Sequence, residues 1–183
     1  MAKLAEQYVV EMLNRDGFAT VQGLRQGVYE WDILAIKVAG GKVEARHLEV
    51  QVSYDPVSYL SNRNARSRSD EEIRTEMTAW LEKKFTGHKV TAARAYFYAG
   101  TWTYELVHGE LADERELTFL SQTGVKTHYF PQLVRELCTT HPRHVPFVAA
   151  GKDAVEVIRN LLSKTRPSTA VVPASTPSPP LGI

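Results

Sequence analysis

Hydrophobic residues follow two different periods in the first part of the chain. Across residues 3–15 they recur at steps of three and four, which predicts a helix with one apolar face, ended by Gly17. Three strands are expected to follow, over residues 18–22, 28–37 and 42–53. Gly40-Gly41 separates the last two strands, and such a pair predicts a reversal between antiparallel strands.

The pattern after a polar loop predicts further helices and strands. Ser69 and Glu72 have the spacing of a capping box, so a helix is expected to begin there and to end at Gly87. Residues 91–99 are rich in alanine and aromatic residues and are expected to form a buried strand. The remaining expected elements are helices over 110–121, from Pro131 and over about 152–163, and a strand over 126–129. This order predicts an α/β protein with a mixed sheet flanked by helices.

Composition adds bounds to this picture. The 183 residues, 43% hydrophobic and 23% charged, are expected to form one globular domain over 1–164, with a flexible Pro-, Ser- and Thr-rich tail over 165–183. Cys138 is the single cysteine, so no internal disulfide or cysteine-based zinc site is expected, and a cytoplasmic location is favoured. No apolar run has the length of a membrane span, and Glu6 and Glu11 interrupt the N-terminal apolar pattern, so no signal peptide is expected.

Asp32 and the triplet Glu49-Val50-Gln51 are the candidate chemistry. Residues two apart on a strand point the same way, so Glu49 and Gln51 share a face with His47. If that face also carries Asp32, two carboxylates converge beside an amide, which suits Mg²⁺ or Mn²⁺. Residues 33–36 are apolar, so Asp32 opens a buried strand, where a charge must be paired or bind a cation.

This arrangement resembles the PD-(D/E)XK superfamily of restriction-endonuclease-like nucleases. In that family an acid at the start of one strand is followed by acid-x-lysine on the next. Here Gln51 replaces the lysine, and Trp31 stands where a proline usually precedes the first acid. Ala5-Glu6 and Asp16-Gly17-Phe18 resemble the beginning of Holliday-junction resolvases and their relatives. The resemblance covers roughly residues 3–100 and implies a restriction-endonuclease-like αβββαβ core.

The resemblance also implies roles for individual residues. Asp32, Glu49 and Gln51 would be the catalytic residues, and Asp32 and Glu49 would hold the metal, Mg²⁺ or Mn²⁺. Glu6 would support the metal directly or through water, and the carbonyl of Val50 would be a further ligand. Glutamine exchanges no proton near neutral pH, so Gln51 would position the attacking water while the metal acidifies it.

Other residues have a structural interpretation beside the functional one. His47 is expected to be a surface histidine, with a proton shuttle as the alternative, and Glu30 is an alternative outer acid. An aromatic set is expected to be core rather than a platform for bases: Tyr96, Tyr98, Trp102 and Tyr104.

The net charge of +1 does not by itself indicate nucleic-acid binding, so a local patch must make the contact. The loop arginines Arg63, Arg66 and Arg68 are the candidate phosphate contacts, with a solvated loop as the alternative.

The function expected from these features is metal-dependent endonuclease hydrolysis of DNA phosphodiester bonds. The alternative is a nuclease-fold protein of weak or absent activity that binds nucleic acid or a protein, favoured by the missing lysine. A third interpretation is an accessory domain whose Pro-rich tail recruits a protein partner. A homodimer is plausible, because cleavage of both strands often uses two active sites.

Overall fold

The computed structural model describes residues 2–26, 29–53, 60 and 68–140, all within one compact unit, residues 1–148. The expected helix over 152–163, the domain boundary at 164 and the tail lie outside the described residues. Within the described part of the chain, no helix is both long and apolar enough to cross a membrane.

A five-stranded mixed sheet organises the molecule, in the order β1-β2-β3-β4-β5. The strands are β1 Ala19–Gln26, β2 Tyr29–Ala39, β3 Lys42–Gln51, β4 Thr103–His108 and β5 Lys126–Tyr129. The first three are antiparallel, whereas β4 is parallel to β3 and β5 is parallel to β4. The predicted mixed sheet is therefore confirmed.

Helices precede β1, follow β5 and connect β3 to β4 and β4 to β5. They are α1 Ala2–Arg15, α2 Asp70–Leu81, α3 His88–Ala95, α4 Glu114–Gln122 and α5 Phe130–Thr140, with a π-helical segment, Glu82–Thr86, directly after α2. The predicted capping box of α2 is confirmed, because the Ser69 and Glu72 side chains each accept a hydrogen bond from the other's backbone N–H. The predicted helix over 110–121 begins later, at Glu114, where the Asp113 side chain caps it.

The predicted strand over residues 91–99 is wrong. Most of this segment is α3 and the turn after it, and the strand that continues the sheet is β4. Alanine favours helix, and the aromatic content did not indicate burial, since Tyr96 is 86% exposed.

The central strand β3 is covered on both sides in its second half. Residues 47–50 are all buried, although two of them, His47 and Glu49, are polar. The antiparallel neighbour β2 and the parallel neighbour β4 flank this stretch. Glu49 therefore has no solvated face, contrary to the simple interpretation of alternating polarity.

An apolar core joins α2 and α4 to the sheet. Buried side chains of α2 and the π-helical segment pack with those of β4 and α4 in one cluster: Ile73, Met77, Trp80, Phe85, Leu106 and Leu120. The Trp80 and Phe85 rings, five residues apart, lie 5.7 Å apart. This packing fixes the π-helical segment over β3, where the Phe85 ring lies 4.8 Å from the His47 ring.

The structure corrects the expectation for Arg68. Its side chain is 4% exposed, and its guanidinium donates to Glu76 at 2.9 Å, to Glu116 at 2.8 Å and to Asp113 at 3.1 Å. These bonds tie the segment before α2 to α2 and α4, so the side chain serves the fold and is not presented to a phosphate. Arg63 and Arg66 lie outside the described residues.

Replacing Arg68 with methionine is expected to lower the free energy of unfolding by about 3 kcal/mol or more, because it leaves Glu116 buried without this cation. Denaturant titration measures the loss. The matched control, Arg74→Met on the exposed face of α2, should change stability by roughly 0.5 kcal/mol or less. A loss at Arg68 no larger than the control would contradict the structural role.

Candidate active site

Asp32 and Glu49 meet where the pairing of β2 with β3 ends. The last paired residues at this end are Ile33 and Leu48, and Asp32 is the next residue of β2 outward. Beyond that point the Asp32 carboxylate accepts a hydrogen bond from the Val50 backbone N–H at 2.8 Å. The Asp32 and Glu49 carboxyl groups lie within hydrogen-bonding reach of each other. The predicted convergence of these two acids is present in the structure.

Lys84 completes this cluster, although no motif in the sequence indicates it. Its ammonium comes from the π-helical segment and donates to Glu49 Oε2 in a short ion pair. The Glu49 residue is 2% exposed, and the Lys84 side chain is 28% exposed, so the lysine reaches from the buried acid towards the surface. Thirty-five residues separate the partners. The signal in the sequence was indirect: a buried acid requires a cation, but nothing local identifies which one.

His47 lies beneath Glu49 and is fully buried, so the expected surface histidine is wrong. Its Nε2 atom is 3.4 Å from Glu49 Oε1, and its Nδ1 atom is 2.8 Å from Arg94 Nη1. Central placement of β3 explains the difference, because both faces of the strand are covered at this position.

Burial and charge shift the acidity of all four groups. Burial, reinforced by Glu49, raises the pKa of Asp32 to about 6 from 3.8. Burial also raises the pKa of Glu49, against the opposing attraction of Lys84. Burial alone would lower the pKa of Lys84, but the Glu49 carboxylate outweighs it and raises that pKa, so the ammonium stays charged. Burial and then the Arg94 charge hold the pKa of His47 well below its usual range, so the ring is neutral.

The other predicted site residues are placed differently. Gln51 ends β3, half-buried, and its backbone carbonyl accepts from the Gly109 N–H at 3.2 Å. The Glu6 side chain accepts from Gln22 at 3.0 Å on the exposed side of α1 and is not brought into the cluster. Glu30 pairs with Arg25 at 2.9 Å, although its charge also acts on Lys84.

The aromatic set divides into core and surface. Trp102 is buried, and its ring packs against that of Tyr98 at 6.1 Å, while Tyr104 stacks on Phe85 at 5.2 Å. Tyr96 is the exposed member. The expected core role is therefore right for three of the four and wrong for Tyr96.

The donor set suits Mg²⁺ or Mn²⁺ better than a metal that requires an all-protein cage. Among the described residues, no group of three or more His, Cys, Asp or Glu side chains is arranged to hold a metal ion. Asp32 and Glu49 nevertheless offer two carboxylates, and Glu49 Oε1 is buried without a hydrogen-bond partner within normal distance. Mg²⁺ characteristically takes one or two carboxylates and completes its shell with water and substrate phosphate.

Comparison with known proteins does not assign a function to this cluster. No protein-family model matches the chain, and no curated protein matches it. A crystal structure of a protein of unknown function, AF1548, is similar to it with a TM-score of 0.47 and 16% sequence identity, covering 86% of this chain and 79% of that one. That protein has no stated function, so no activity passes from it to this chain.

The raised pKa of Asp32 predicts that its ionisation lowers the stability of the fold. An uncharged side chain at this position should remove that loss. The stability contributed by protonated Asp32 is complete below its unfolded value of 3.8 and is lost as the pH rises through about 6. In EDTA, the free energy of unfolding of Asp32→Asn should therefore rise relative to that of the wild type between pH 4 and pH 7. The difference should reach up to about 3 kcal/mol.

Thermal and denaturant unfolding across this range measures the difference. The matched control is Glu71→Gln, which neutralises an exposed carboxylate of α2. If the Asp32→Asn curve runs parallel to the wild type from pH 4 to pH 7, the two acids do not repel one another in a buried site.

Proposed function

We propose that this chain is a metal-dependent endonuclease that hydrolyses DNA phosphodiester bonds, built on a restriction-endonuclease-like core. The observation that carries the proposal is the cluster of Asp32, Glu49 and Lys84, in which two acids from neighbouring strands and one ammonium from a helical segment share a largely buried position. The element order also supports it: α1, the antiparallel strands β1 to β3, α2 and the parallel strand β4 agree with the αβββαβ order that the sequence resemblance implies, with the π-helical segment and α3 as additions before β4.

The charge balance of the cluster favours a divalent cation. Two carboxylates share one lysine, so full ionisation leaves an excess negative charge. Burial raises the pKa of both acids, and the charge of Glu49 adds to the rise at Asp32. Asp32 and Glu49 would hold the metal, and the Val50 carbonyl would be the further protein ligand. When bound, Mg²⁺ or Mn²⁺ supplies a Lewis acid for the phosphate and lowers the pKa of a water molecule.

Lys84 supplies the positive charge that the triplet lacks. In the family pattern the lysine follows the second acid by two residues, and Gln51 stands there in this chain. Lys84 reaches the same acid from another element. Because its pKa is raised, it stays protonated and serves as a charge and hydrogen-bond donor to phosphate rather than as a base. Gln51, at the end of the same strand face, would orient water by hydrogen bonding.

A basic groove beside the cluster is the proposed DNA contact. The groove lies between the end of α2 and the beginning of α3, and its lining includes Lys83, His88, Lys89 and Val90, with Glu82 as its one acid. Val90 packs against Trp31, the residue before Asp32. The groove is therefore adjacent to the strand that carries the first acid, and its lysines are exposed. It complements Arg63 and Arg66, which remain predicted phosphate contacts.

A second candidate function follows from the same ion pair. Lys84 already balances Glu49 without a metal, so the cluster would also be compatible with a nuclease-fold protein that binds nucleic acid without cleaving it. Calorimetric titration with Mg²⁺ and Mn²⁺ separates the two. Metal binding that is lost in Asp32→Asn and Glu49→Gln supports the enzyme, whereas no metal binding by the wild type supports the binding protein.

Cleavage of linear, branched and single-stranded DNA in Mg²⁺ or Mn²⁺ tests the enzyme directly. Asp32→Asn and Glu49→Gln should each lower the cleavage rate by about 100-fold or more, because each removes a metal ligand from a two-acid site. Glu44→Gln, on the exposed part of the same strand β3, is the matched control. Full activity in either site variant would overturn the assignment.

The role of Lys84 is tested by moving the ammonium. Lys84→Met should slow cleavage by about 10²-fold, the scale of losing one donor that stabilises developing charge. Adding Gln51→Lys in that background should restore part of the rate, because it returns the lysine to the family position. No loss in Lys84→Met would show that its ion pair with Glu49 is only structural.

Removing the charges of the groove should weaken DNA binding without removing the catalytic cluster. In a metal-free binding assay, replacing Lys83, His88 and Lys89 with alanine should flatten the slope of log affinity against log salt by up to about 2 units, one for each lysine that contacts a phosphate. Lys3→Ala/Lys42→Ala, which removes two exposed lysines elsewhere, is the matched control. An unchanged slope in the groove variant would place the DNA surface elsewhere.

A further inference from the structure

A buried arginine, Arg94, forms a hydrogen bond with His47. Arg94 Nη1 lies 2.8 Å from His47 Nδ1 in a contact that is buried on both sides. A guanidinium donates hydrogen bonds and accepts none, so His47 Nδ1 must be the acceptor. The ring is therefore neutral, and its one N–H is at Nε2.

Arg94 is itself fixed in one orientation. Its guanidinium also donates to the backbone carbonyl of Phe85 at 3.1 Å and to the Tyr104 hydroxyl at 2.9 Å. It lies 4.9 Å from the centre of the Tyr104 ring and 5.4 Å from that of Trp102. The arginine therefore has no freedom to release His47 without breaking several contacts at once.

The Nε2–H of His47 then faces the candidate metal ligand. Nε2 is 3.4 Å from Glu49 Oε1, slightly longer than an ordinary hydrogen bond. Both atoms are buried, and in the described part of the chain neither makes a hydrogen bond of ordinary geometry. A small rotation of the carboxylate would complete the bond, and the other oxygen of Glu49 is held by Lys84.

We infer that Arg94 and His47 are positioning residues of the proposed metal site: Arg94 fixes the Nε2–H form of His47, and this N–H orients the Glu49 carboxylate towards the cation. The inference rests on the proposed function. A neutral donor suits this place, because it fixes one carboxylate oxygen without cancelling the charge that would attract a metal. That oxygen keeps a second lone pair for coordination. Partners of metal ligands characteristically change metal affinity by about 10- to 100-fold when removed.

Two substitutions separate a positioning role of His47 from simple filling of the core. If His47 only filled the core, restoring its N–H donor with another side chain would not restore Mn²⁺ affinity. His47→Gln can place an amide N–H near the position of Nε2, whereas His47→Leu fills the space without a donor. Calorimetry with Mn²⁺ should show His47→Gln within about threefold of the wild type and His47→Leu weaker by about tenfold or more. Circular dichroism and melting temperature report the fold of each variant.

The tautomer of the His47 ring can be measured in the metal-free protein, without an activity assay. The ¹⁵N ring shifts of metal-free wild type, with His47 assigned by comparison with His47→Gln, should show a neutral ring protonated at Nε2. Arg94→Met should remove this preference. This measurement stands even if His47→Leu does not fold.

The outcomes separate this inference from the proposed function. A ring protonated at Nδ1, or unchanged Mn²⁺ affinity in a folded His47→Leu, overturns the positioning role. A wild type that shows the Nε2–H form but binds no metal and cleaves no DNA overturns the proposed function, and the metal-directed part of this inference with it. Loss of Mn²⁺ affinity in His47→Leu with recovery in His47→Gln supports both.

Discussion

A carboxylate in the buried second half of the central strand constrains the structure around it. Glu49 lies on β3 with helices and neighbouring strands excluding water, and an isolated charge there would cost several kcal/mol. The helical layer meets this requirement by placing the Lys84 ammonium against it. The Asp32 carboxylate lies beside it, so that one lysine cannot neutralise both acids when they are ionised. The cluster of Asp32, Glu49 and Lys84 therefore favours the uptake of either a proton or a further cation.

Two of the buried charge networks in the described part of the chain behave differently. Around Arg68, one guanidinium serves three acids at the junction of α2 and α4, and the nearby Arg115 lowers the pKa of Asp113. This is the behaviour of ion pairs that hold elements together. At Asp32 and Glu49 the pKa values move upward, so ionisation opposes folding. Acids kept in this condition are characteristic of sites selected for chemistry or ligand binding.

The sequence predicted the parts of this structure that depend on local pattern. Residues 3–15, the strands flanking Gly40-Gly41 and the capping box at Ser69 each have short-range signals, and the structure contains all of them. The meeting of Asp32 with Glu49 was also predictable, because strand pairing across a tight turn brings known positions together.

Long-range contacts were not predictable in this way. Lys84 and Arg94 reach β3 only through the packing of the helical layer, and no local spacing encodes that contact. Arg68 looked like a loop arginine because its three acid partners lie eight or more residues away along the chain. The predicted strand over 91–99 is wrong because its aromatic residues do not indicate burial, whereas its alanines favour a helix.

The π-helical segment determines which side chain meets the sheet. In an α-helix, residues four apart share a face, so continuation of α2 beyond Trp80 would place Lys84 in line with the apolar core. A π-helix bonds residues five apart, and Phe85 takes that position, with its ring against Trp80. Lys84 is thereby shifted to the margin of the core, where it meets Glu49 and still reaches solvent. One residue of helical register thus decides whether the core beside Glu49 receives an aromatic ring and its margin a cation, or the reverse.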